Sequence, residues 1–453
     1  MRIHILGIGG TFMAATALLA RDLGYEVEGS DGPLYPPMSE VLAEAGITVR
    51  EGYEAGHLRP APDLVVVGNI IARGNPAAEY MLDRGLPHVS GPAFVFQHVL
   101  RGRRVIAVAG THGKTTTTSL IAWLLEANGK KPGFLIGGLP ENFPVSARLG
   151  SGKTFVIEAD EYETAFFDRR PKFIHYHPHV QVLTNLEFDH ADIYPDLAAI
   201  EKQFHYLLCT VPGRGRVVAN GGDAALARVI EAGAWTPIEY FGTGPKSDLV
   251  GQLIAPNRFE LWVGGKPLTT IEWQIRGAHN MENALAALAA VRAAGVSLER
   301  AVEALPGFRG VRRRLTLVAE SGGIRLYDDF AHHPTAIRRT LQGLKQPERR
   351  LIAVVEPRSN TMRRGVQAAA LPAALATADR VFVLARPDLA WDPARILAPL
   401  GEKLTLEREV ETLAARIAAE LRASDDIVLM SNGDFGGLAE ILAQTLDPNM
   451  GSA

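Results

Sequence analysis

An apolar run at 104–109 passes without a break into Gly110-Thr111-His112-Gly113-Lys114-Thr115-Thr116, and then into a stretch with helical spacing that reaches Glu126. A strand, a glycine loop and a helix in that order commit this part of the chain to an α/β architecture and give it the context that a phosphate-binding loop requires. The glycines let backbone N–H groups turn inward on an anion, and the helix adds its positive end. Lys114 can then reach the terminal phosphates of a nucleoside triphosphate, while the Thr115 hydroxyl is placed to ligate magnesium. The loop is of a shorter variety than the general pattern, since Val108 stands where that pattern has its first glycine. The plainer reading is an ordinary glycine turn before a helix, and the Gly-Lys-Thr triplet in this context argues against it.

Short Val/Ile/Leu runs alternate with longer Ala/Leu-rich stretches along the whole chain, which is the signature of parallel sheets flanked by helices. Three such systems separate. The first has a strand at 3–6, a turn at Gly7-Ile8-Gly9-Gly10, a helix through Leu23, and strands at 26–28, ending at Gly29-Ser30-Asp31, and at 63–67. The second holds the phosphate loop and strands at 154–157 and 180–183; the third has strands at 324–327, 351–355, 381–384 and 426–430. A length of 453 residues implies two or three domains. The patterns restart near Gly102 and near Pro306, so the expected fold is a Rossmann-like N-terminal domain (1–102), a central P-loop ATPase-type α/β domain (103–305) and a C-terminal Rossmann-like α/β domain (306–453).

With 47% hydrophobic and 21% charged residues the chain is not a disordered one. A net charge of -3 gives no electrostatic reason to expect nucleic acid or an anionic membrane as partner. Cys209 is the only cysteine, which excludes an internal disulfide, favours a reducing compartment and reads as a small buried hydrophobe on a helix. MRIHILGIGG has no basic segment or cleavage site, and no apolar stretch approaches membrane-spanning length. A cytoplasmic protein is expected.

A phosphate loop needs carboxylates to hold metal. The 154–157 strand ends at Glu158-Ala159-Asp160-Glu161, where crowded acids repel one another unless a cation sits among them. Solvated loop acids are the bland alternative. The second candidate is Thr184-Asn185-Leu186-Glu187-Phe188-Asp189-His190, where His190 can ligate a second metal or orient a phosphate oxygen. His175, His177 and His179 alternate, which puts them on one face of a strand; Pro178 and the lack of a supporting Cys favour a polar strand edge over a zinc site. His332-His333-Pro334 follows Tyr327-Asp328-Asp329 at a strand's C-terminal end, where open α/β sheets bind ligands. In the first domain Gly7 and Gly9 match a dinucleotide fingerprint whose third position is Phe12 instead of glycine, and Asp31 falls about where a ribose-binding acid belongs. NAD, another nucleotide and a plain tight turn all remain open for that loop.

Taken in order, GTHGKTTT (110–117), EADE (158–161), NLEFDH (185–190), GAHNMENALAA (277–287), FRGVRRRL (308–315) and YDDFAHHPT (327–335) resemble the Mur ligase family over all three domains. The family builds the peptide of bacterial cell-wall precursors. The resemblance implies that Gly110, Thr111, His112, Gly113, Lys114, Thr115 and Thr116 form the ATP phosphate loop, with Lys114 on the phosphates. It implies that Thr115 and Glu158 hold one magnesium ion and that His190 serves a second. Asn280 and Asn283 face the nucleotide, and Arg314, Asp329 and His333 complete the ATP site when the domains close. Gly7, Gly9, Gly10 and Asp31 bind UDP, with Asn69 and Arg73 as further contributors. The place where several family branches carry a carbamylated lysine falls at His205, with Lys202 one turn earlier, so no such modification is inferred.

Within the family, GIGGTFMA (7–14), YPPMS (35–39), RGNP (73–76), FLIGG (134–138), ENFPVSARLG (141–150), EYETAFFD (161–168) and EPRSNTMRRG (356–365) resemble the branch that attaches the recycled tripeptide L-alanyl-γ-D-glutamyl-meso-diaminopimelate to UDP-N-acetylmuramate. The implied activity is a carboxylate–amine ligase that passes through an acyl phosphate. One alternative keeps the scaffold and takes free L-alanine as acceptor. A second is a nucleotide sensor without chemistry, against which the acids at Glu158 to Glu161 and the Asp328-Asp329-His332-His333 group speak. The loops Glu356-Pro357-Arg358-Ser359-Asn360 and Ser431-Asn432-Gly433-Asp434 read equally as peptide-site walls and as plain connections.

Overall fold

The computed structural model describes residues 1–34 and 38–446 and contains three mainly parallel sheets with helices on their faces. Tyr35-Pro36-Pro37 of the YPPMS segment lie outside the described residues. The N-terminal sheet runs Thr48–Glu51, Glu26–Asp31, Arg2–Leu6, Leu64–Val67, His88–Ser90, all parallel. Strand order reverses on either side of Arg2–Leu6, and such a switch point opens a crevice at the strand's C-terminal end. Gly7 to Gly10 occupy that end. The Glu26–Asp31 strand is longer than its sequence suggests, because Gly29 and Ser30 pair in register with Ile5 and Leu6. A Cβ on Gly29 would lie 2.7 Å from the Ile5 carbonyl oxygen, so the bare residue lets the strand continue.

The central sheet is ordered Lys266–Glu272, Arg258–Val263, Leu249–Ala255, Ile238–Gly242, Arg216–Asn220, Val180–Leu183, Arg104–Ala109, Thr154–Glu158, Gly133–Leu135, Ala147–Arg148. Its middle is parallel and both edges are antiparallel. Arg104–Ala109 sits between Val180–Leu183 and Thr154–Glu158, so the phosphate loop, the Glu158 acids and the Thr184–His190 segment emerge side by side. Residues alternate across this strand: Val105, Ala107 and Ala109 enter one apolar cluster, Ile106 and Val108 the other. The first cluster also contains Ile3, Ile5, Phe94 and Leu100, so the N-terminal domain and one face of the central sheet share a continuous core.

The C-terminal sheet is ordered Thr316–Ser321, Ile324–Asp329, Asp425–Met430, Arg350–Val355, Arg380–Leu384, Leu404–Glu407, with only the first pairing antiparallel. Two consecutive acids at the start of one of its central strands are buried and paired. Arg325 and Arg349 each donate to Asp426 Oδ1 (2.7 and 2.8 Å), and Arg350 binds both oxygens of Asp425 (2.9 and 2.6 Å). Among the described residues no helix is long and apolar enough to cross a membrane.

Two sequence expectations change here. Cys209 ends the helix Leu197–Cys209 as expected but is exposed, since the buried side of that helix is carried by Ile200, Phe204, Leu207 and Leu208. His175, His177 and His179 do not share a strand face: His175 closes the short turn Lys172–His175, and His177 has a left-handed φ of 43°. The chain turns there instead of extending.

Asp426→Ala leaves Arg325 and Arg349 without their countercharge and is expected to cost about 3–5 kcal/mol, the scale for breaking a buried pair. Urea unfolding measures it; a loss below about 1 kcal/mol would place the pair among solvent-screened surface bridges.

Candidate active site

A cavity of about 850 Å³ lies where the three sheets' strand ends meet, lined by the N-terminal glycine loop, the phosphate loop, the acids, and Asp329 with His333. Gly113 caps the helix Lys114–Ala127 with a φ of 80°, and a Cβ there would sit 2.4 Å from Asn283 Oδ1. Gly110 has a φ of 142° and a Cβ would lie 2.1 Å from Thr184 Oγ1. Both positions therefore need glycine for the loop to close. The segment after Val180–Leu183 holds it: His112 N–H donates to Asn185 Oδ1 (2.8 Å) and Thr111 N–H to the Asn185 carbonyl (3.0 Å). Thr116 is buried behind the loop and also lines the cavity.

Lys114 Nζ donates to the Gly110 carbonyl (2.6 Å) and to Glu161 Oε2 (3.2 Å). Burial pulls its pKa down, but Glu161, Glu158 and Asp160 outweigh burial and the pKa stands raised. Glu161 is 3% exposed, and its other oxygen lies 2.9 Å from His190 Nε2. Burial alone would raise its pKa; Lys114 and His190 bring it down to about 2. His190 is raised in turn, with Glu161 overcoming desolvation. Glu158 accepts from the Thr115 hydroxyl (3.0 Å) and from Gly137 N–H (2.8 Å), and Asp160 pairs with Lys172 (3.1 Å). Each crowded acid thus has a protein partner of its own: Glu161 has Lys114 and His190, Asp160 has Lys172, and Glu158 has the Thr115 hydroxyl and Gly137 N–H.

Arg314 crosses from the start of the C-terminal domain to donate to Thr115 Oγ1 (3.2 Å), its guanidinium 4.7 Å from the centre of the Phe330 ring. Asn283 accepts from Thr117 Oγ1 (3.2 Å) and donates to Asn280 Oδ1 (3.2 Å), and both asparagines line the cavity. Asp329 accepts from Ala331 N–H (2.8 Å), and burial raises its pKa despite Arg314. His333 caps the helix Pro334–Leu344, its ring 4.5 Å from that of His112. His112 Nε2 and His333 Nδ1 each lie 3.5 Å from Glu187 Oε2, which takes its short hydrogen bond from the Thr335 hydroxyl (2.7 Å).

At the N-terminal loop Gly9 N–H donates to Asp31 Oδ2 (2.6 Å), while Asp31 Oδ1 accepts from Gly32 N–H (2.8 Å) and the Tyr53 hydroxyl (2.7 Å). Both Asp31 oxygens therefore brace the loop. Gly7, Gly10 and Asn69 line the cavity. Arg73 does not reach it: its guanidinium makes a two-pronged pair with Glu79 (2.9 and 2.9 Å), and the side chain is 69% exposed. His205 and Lys202 also lie off the cavity, beside Trp235 and Tyr206 respectively.

A smaller cavity of about 210 Å³ opens beyond His190 and is lined by Arg358, Asn360, Thr361 and Asn432. Both C-terminal loops left open by the sequence thus supply its wall. Glu356 lies beneath, accepting from Ser431 Oγ (2.6 Å) and Arg386 Nε (2.7 Å). Sequence reasoning missed Lys172 and Tyr162, which line the main cavity. Tyr162 sits in the EYETAFFD segment without a role assigned to it, and no motif flags Lys172; the signal would have been a buried lysine close after the acids.

Burial, with Arg339 nearby, holds His279 on the cavity wall down to about 4. The unfolded chain protonates it near 6.5, so its share of stability is present above that pH and is lost as pH falls toward about 4. His279→Gln should flatten the decline of unfolding free energy across this window. An unchanged slope would mean that the ring is solvated.

Three descriptions of one family match the chain in order: the Mur ligase family catalytic domain over 2–103, the Mur ligase middle domain over 108–291, and the Mur ligase glutamate ligase domain over 313–433. The UDP-N-acetylmuramate–L-alanyl-γ-D-glutamyl-meso-2,6-diaminoheptandioate ligase of Escherichia coli is 47% identical over 449 residues, covering 98% of each chain. The UDP-N-acetylmuramate–L-alanine ligase of Mycolicibacterium gilvum is 33% identical over 466 residues, covering 98% of this chain and 96% of that one. The crystal structure of a murein peptide ligase from Psychrobacter arcticus matches with a TM-score of 0.75 at 42% identity, covering 98% of each chain. With its three domains matched in sequence order and relatives aligned end to end, the chain belongs to the Mur ligase family.

Proposed function

We propose that this protein consumes ATP to join the carboxylate of UDP-N-acetylmuramate to the amine of L-alanyl-γ-D-glutamyl-meso-diaminopimelate, in the cytoplasm, returning recycled peptide to cell-wall synthesis. The observation that carries this reading is the end-to-end 47% identity to a ligase named for that reaction, against 33% for a ligase that takes L-alanine. Residues 1–102 take the UDP-sugar, 103–305 the ATP, and 306–453 the amine.

A carboxylate and an ammonium at neutral pH form a salt, so one carboxylate oxygen must first become a leaving group. In this reading that oxygen attacks the γ-phosphorus of ATP, ADP departs, and an acyl phosphate forms. The unprotonated amine then attacks the acyl carbon, and phosphate leaves. Gly110 to Thr116 cradle the triphosphate at the helix N-terminus, and Lys114 Nζ offsets charge on the transferring phosphoryl group. Asn280 and Asn283 wall the nucleotide side, with Arg314, Asp329 and His333 closing it from the C-terminal domain.

The donor chemistry fits magnesium: Thr115 Oγ1 and Glu158 Oε1 are hard oxygens 3.0 Å apart at the phosphate loop. These two would hold one ion, and His190, whose Nε2 now faces Glu161, would serve a second. Magnesium there supplies charge neutralisation between two anions that otherwise repel. The glycine loop with Asp31 and Asn69 receives UDP, whereas Arg73 takes part only if it leaves Glu79. Enclosure by three domains keeps water from the acyl phosphate.

Phosphate release is expected to be faster with the tripeptide than with L-alanine when each is supplied with ATP and UDP-N-acetylmuramate. A preference for L-alanine would overturn the acceptor and leave the ligase standing. Lys114→Ala should fold, because Glu161 keeps His190 as partner, and should lose about 10²–10³-fold in kcat, the scale for removing one group that stabilises transition-state charge. Near-normal ADP release by that variant would remove Lys114 from the chemistry.

A further inference from the structure

Lys172 is 7% exposed, lines the main cavity, and belongs to neither nucleotide loop. A hairpin of Glu163–Ala165 and Asp168–Pro171 delivers it, closed where Lys172 N–H donates to the Tyr162 carbonyl (3.0 Å). The hairpin tip leans on the other domain: Phe166 packs against the cluster of Leu6, Val65 and Met81, and Phe167 meets His88 edge-on at 5.3 Å. The ammonium is therefore fixed relative to both the N-terminal and the central sheet. It lies 3.1 Å from Asp160 Oδ2, with the faces of Phe12 and Tyr162 at 5.2 and 5.6 Å. Phe12 lies two residues after the N-terminal glycine loop and occupies the fingerprint position where a glycine was expected.

We propose that Lys172 is the subsite that receives the carboxylate of the sugar-linked substrate. The proposal rests on the reading above that this substrate is a UDP-sugar bearing a carboxylate. An incoming carboxylate must settle near Glu158, Asp160 and Glu161, and like charges in one site oppose each other unless a cation stands between them. Of the other cations on the cavity wall, Lys114 is paired with Glu161 and Arg339 with Glu282 (3.0 Å), while Arg314 stands over the Thr115 hydroxyl (3.2 Å), on the phosphate-loop side of the cavity. Lys172 stands beside the glycine loop, and among the described residues it donates to one acceptor, Asp160. An ammonium carries three N–H donors, so it can keep Asp160 and take an anion. The two aromatic faces favour a cation while excluding water, which strengthens a charge-assisted hydrogen bond to a carboxylate.

The test compares binding of UDP-N-acetylmuramate with that of UDP-N-acetylglucosamine, which lacks the carboxylate, by calorimetry on the full chain. Lys172→Met should lose about ten- to a hundredfold affinity for the first, the scale of a hydrogen bond to a charged group, and none for the second. Lys172→Arg should recover part of the loss. Asp160→Asn combined with Lys172→Met leaves no unpaired acid and should still fail to discriminate. Equal loss for both sugar nucleotides, retained discrimination in Lys172→Met, or its return in the double variant would each overturn the proposal. A wild-type chain that binds neither sugar nucleotide would instead sink the underlying reading.

Discussion

The site depends on keeping the Lys114 ammonium buried against the positive end of a helix. Desolvation and the helix dipole both oppose it, and the opposition is offset by Glu161, Glu158 and Asp160 from the neighbouring strand end. Those acids then need cations of their own when the phosphate loop is considered as a whole. His190 answers Glu161, Lys172 answers Asp160, and the Thr115 hydroxyl with Gly137 N–H answers Glu158. Strand order makes this possible: Arg104–Ala109 lies between Thr154–Glu158 and Val180–Leu183, so loop, acids and His190 emerge from adjacent strand ends.

The same charges explain why one domain is not enough. Arg314 reaches Thr115 from the C-terminal side, and Thr335 of the C-terminal domain donates to Glu187 of the central one. The hairpin at 163–171 ties the central domain to the N-terminal sheet. Each contact places a group of one domain over a site built by another, so the cavity exists only when the three sheets stand together. That arrangement suits chemistry that joins two substrates and must protect a hydrolysable intermediate.

Much of this was legible in the sequence where a local pattern forces a local structure. Gly110 and Gly113 announce the loop because only glycine fits against Thr184 and Asn283. The strand ends at Glu158 and Leu183 followed from apolar runs that stop at polar residues. What stayed hidden depends on non-local packing. Nothing near Arg73 in sequence says that Glu79 will hold it, and Cys209 is exposed because the neighbouring helix positions carry the core. Lys172 carries no motif, and its surroundings come from Phe12 and Asp160, brought in by two different domains. Phe12 also gives a reason for the failed dinucleotide fingerprint: a ring facing Lys172 stands where a glycine would have brought a helix close.

In this cavity a sugar-linked carboxylate is expected to be activated by phosphorylation. Oxygen transfer tests it directly. With UDP-N-acetylmuramate labelled with heavy oxygen in its carboxylate, and ATP and tripeptide unlabelled, an acyl phosphate requires one labelled oxygen to leave with each inorganic phosphate released. Label in the phosphate, matched to amide formed, is the predicted result. Phosphate released without label, at a rate equal to amide formation, would contradict the account.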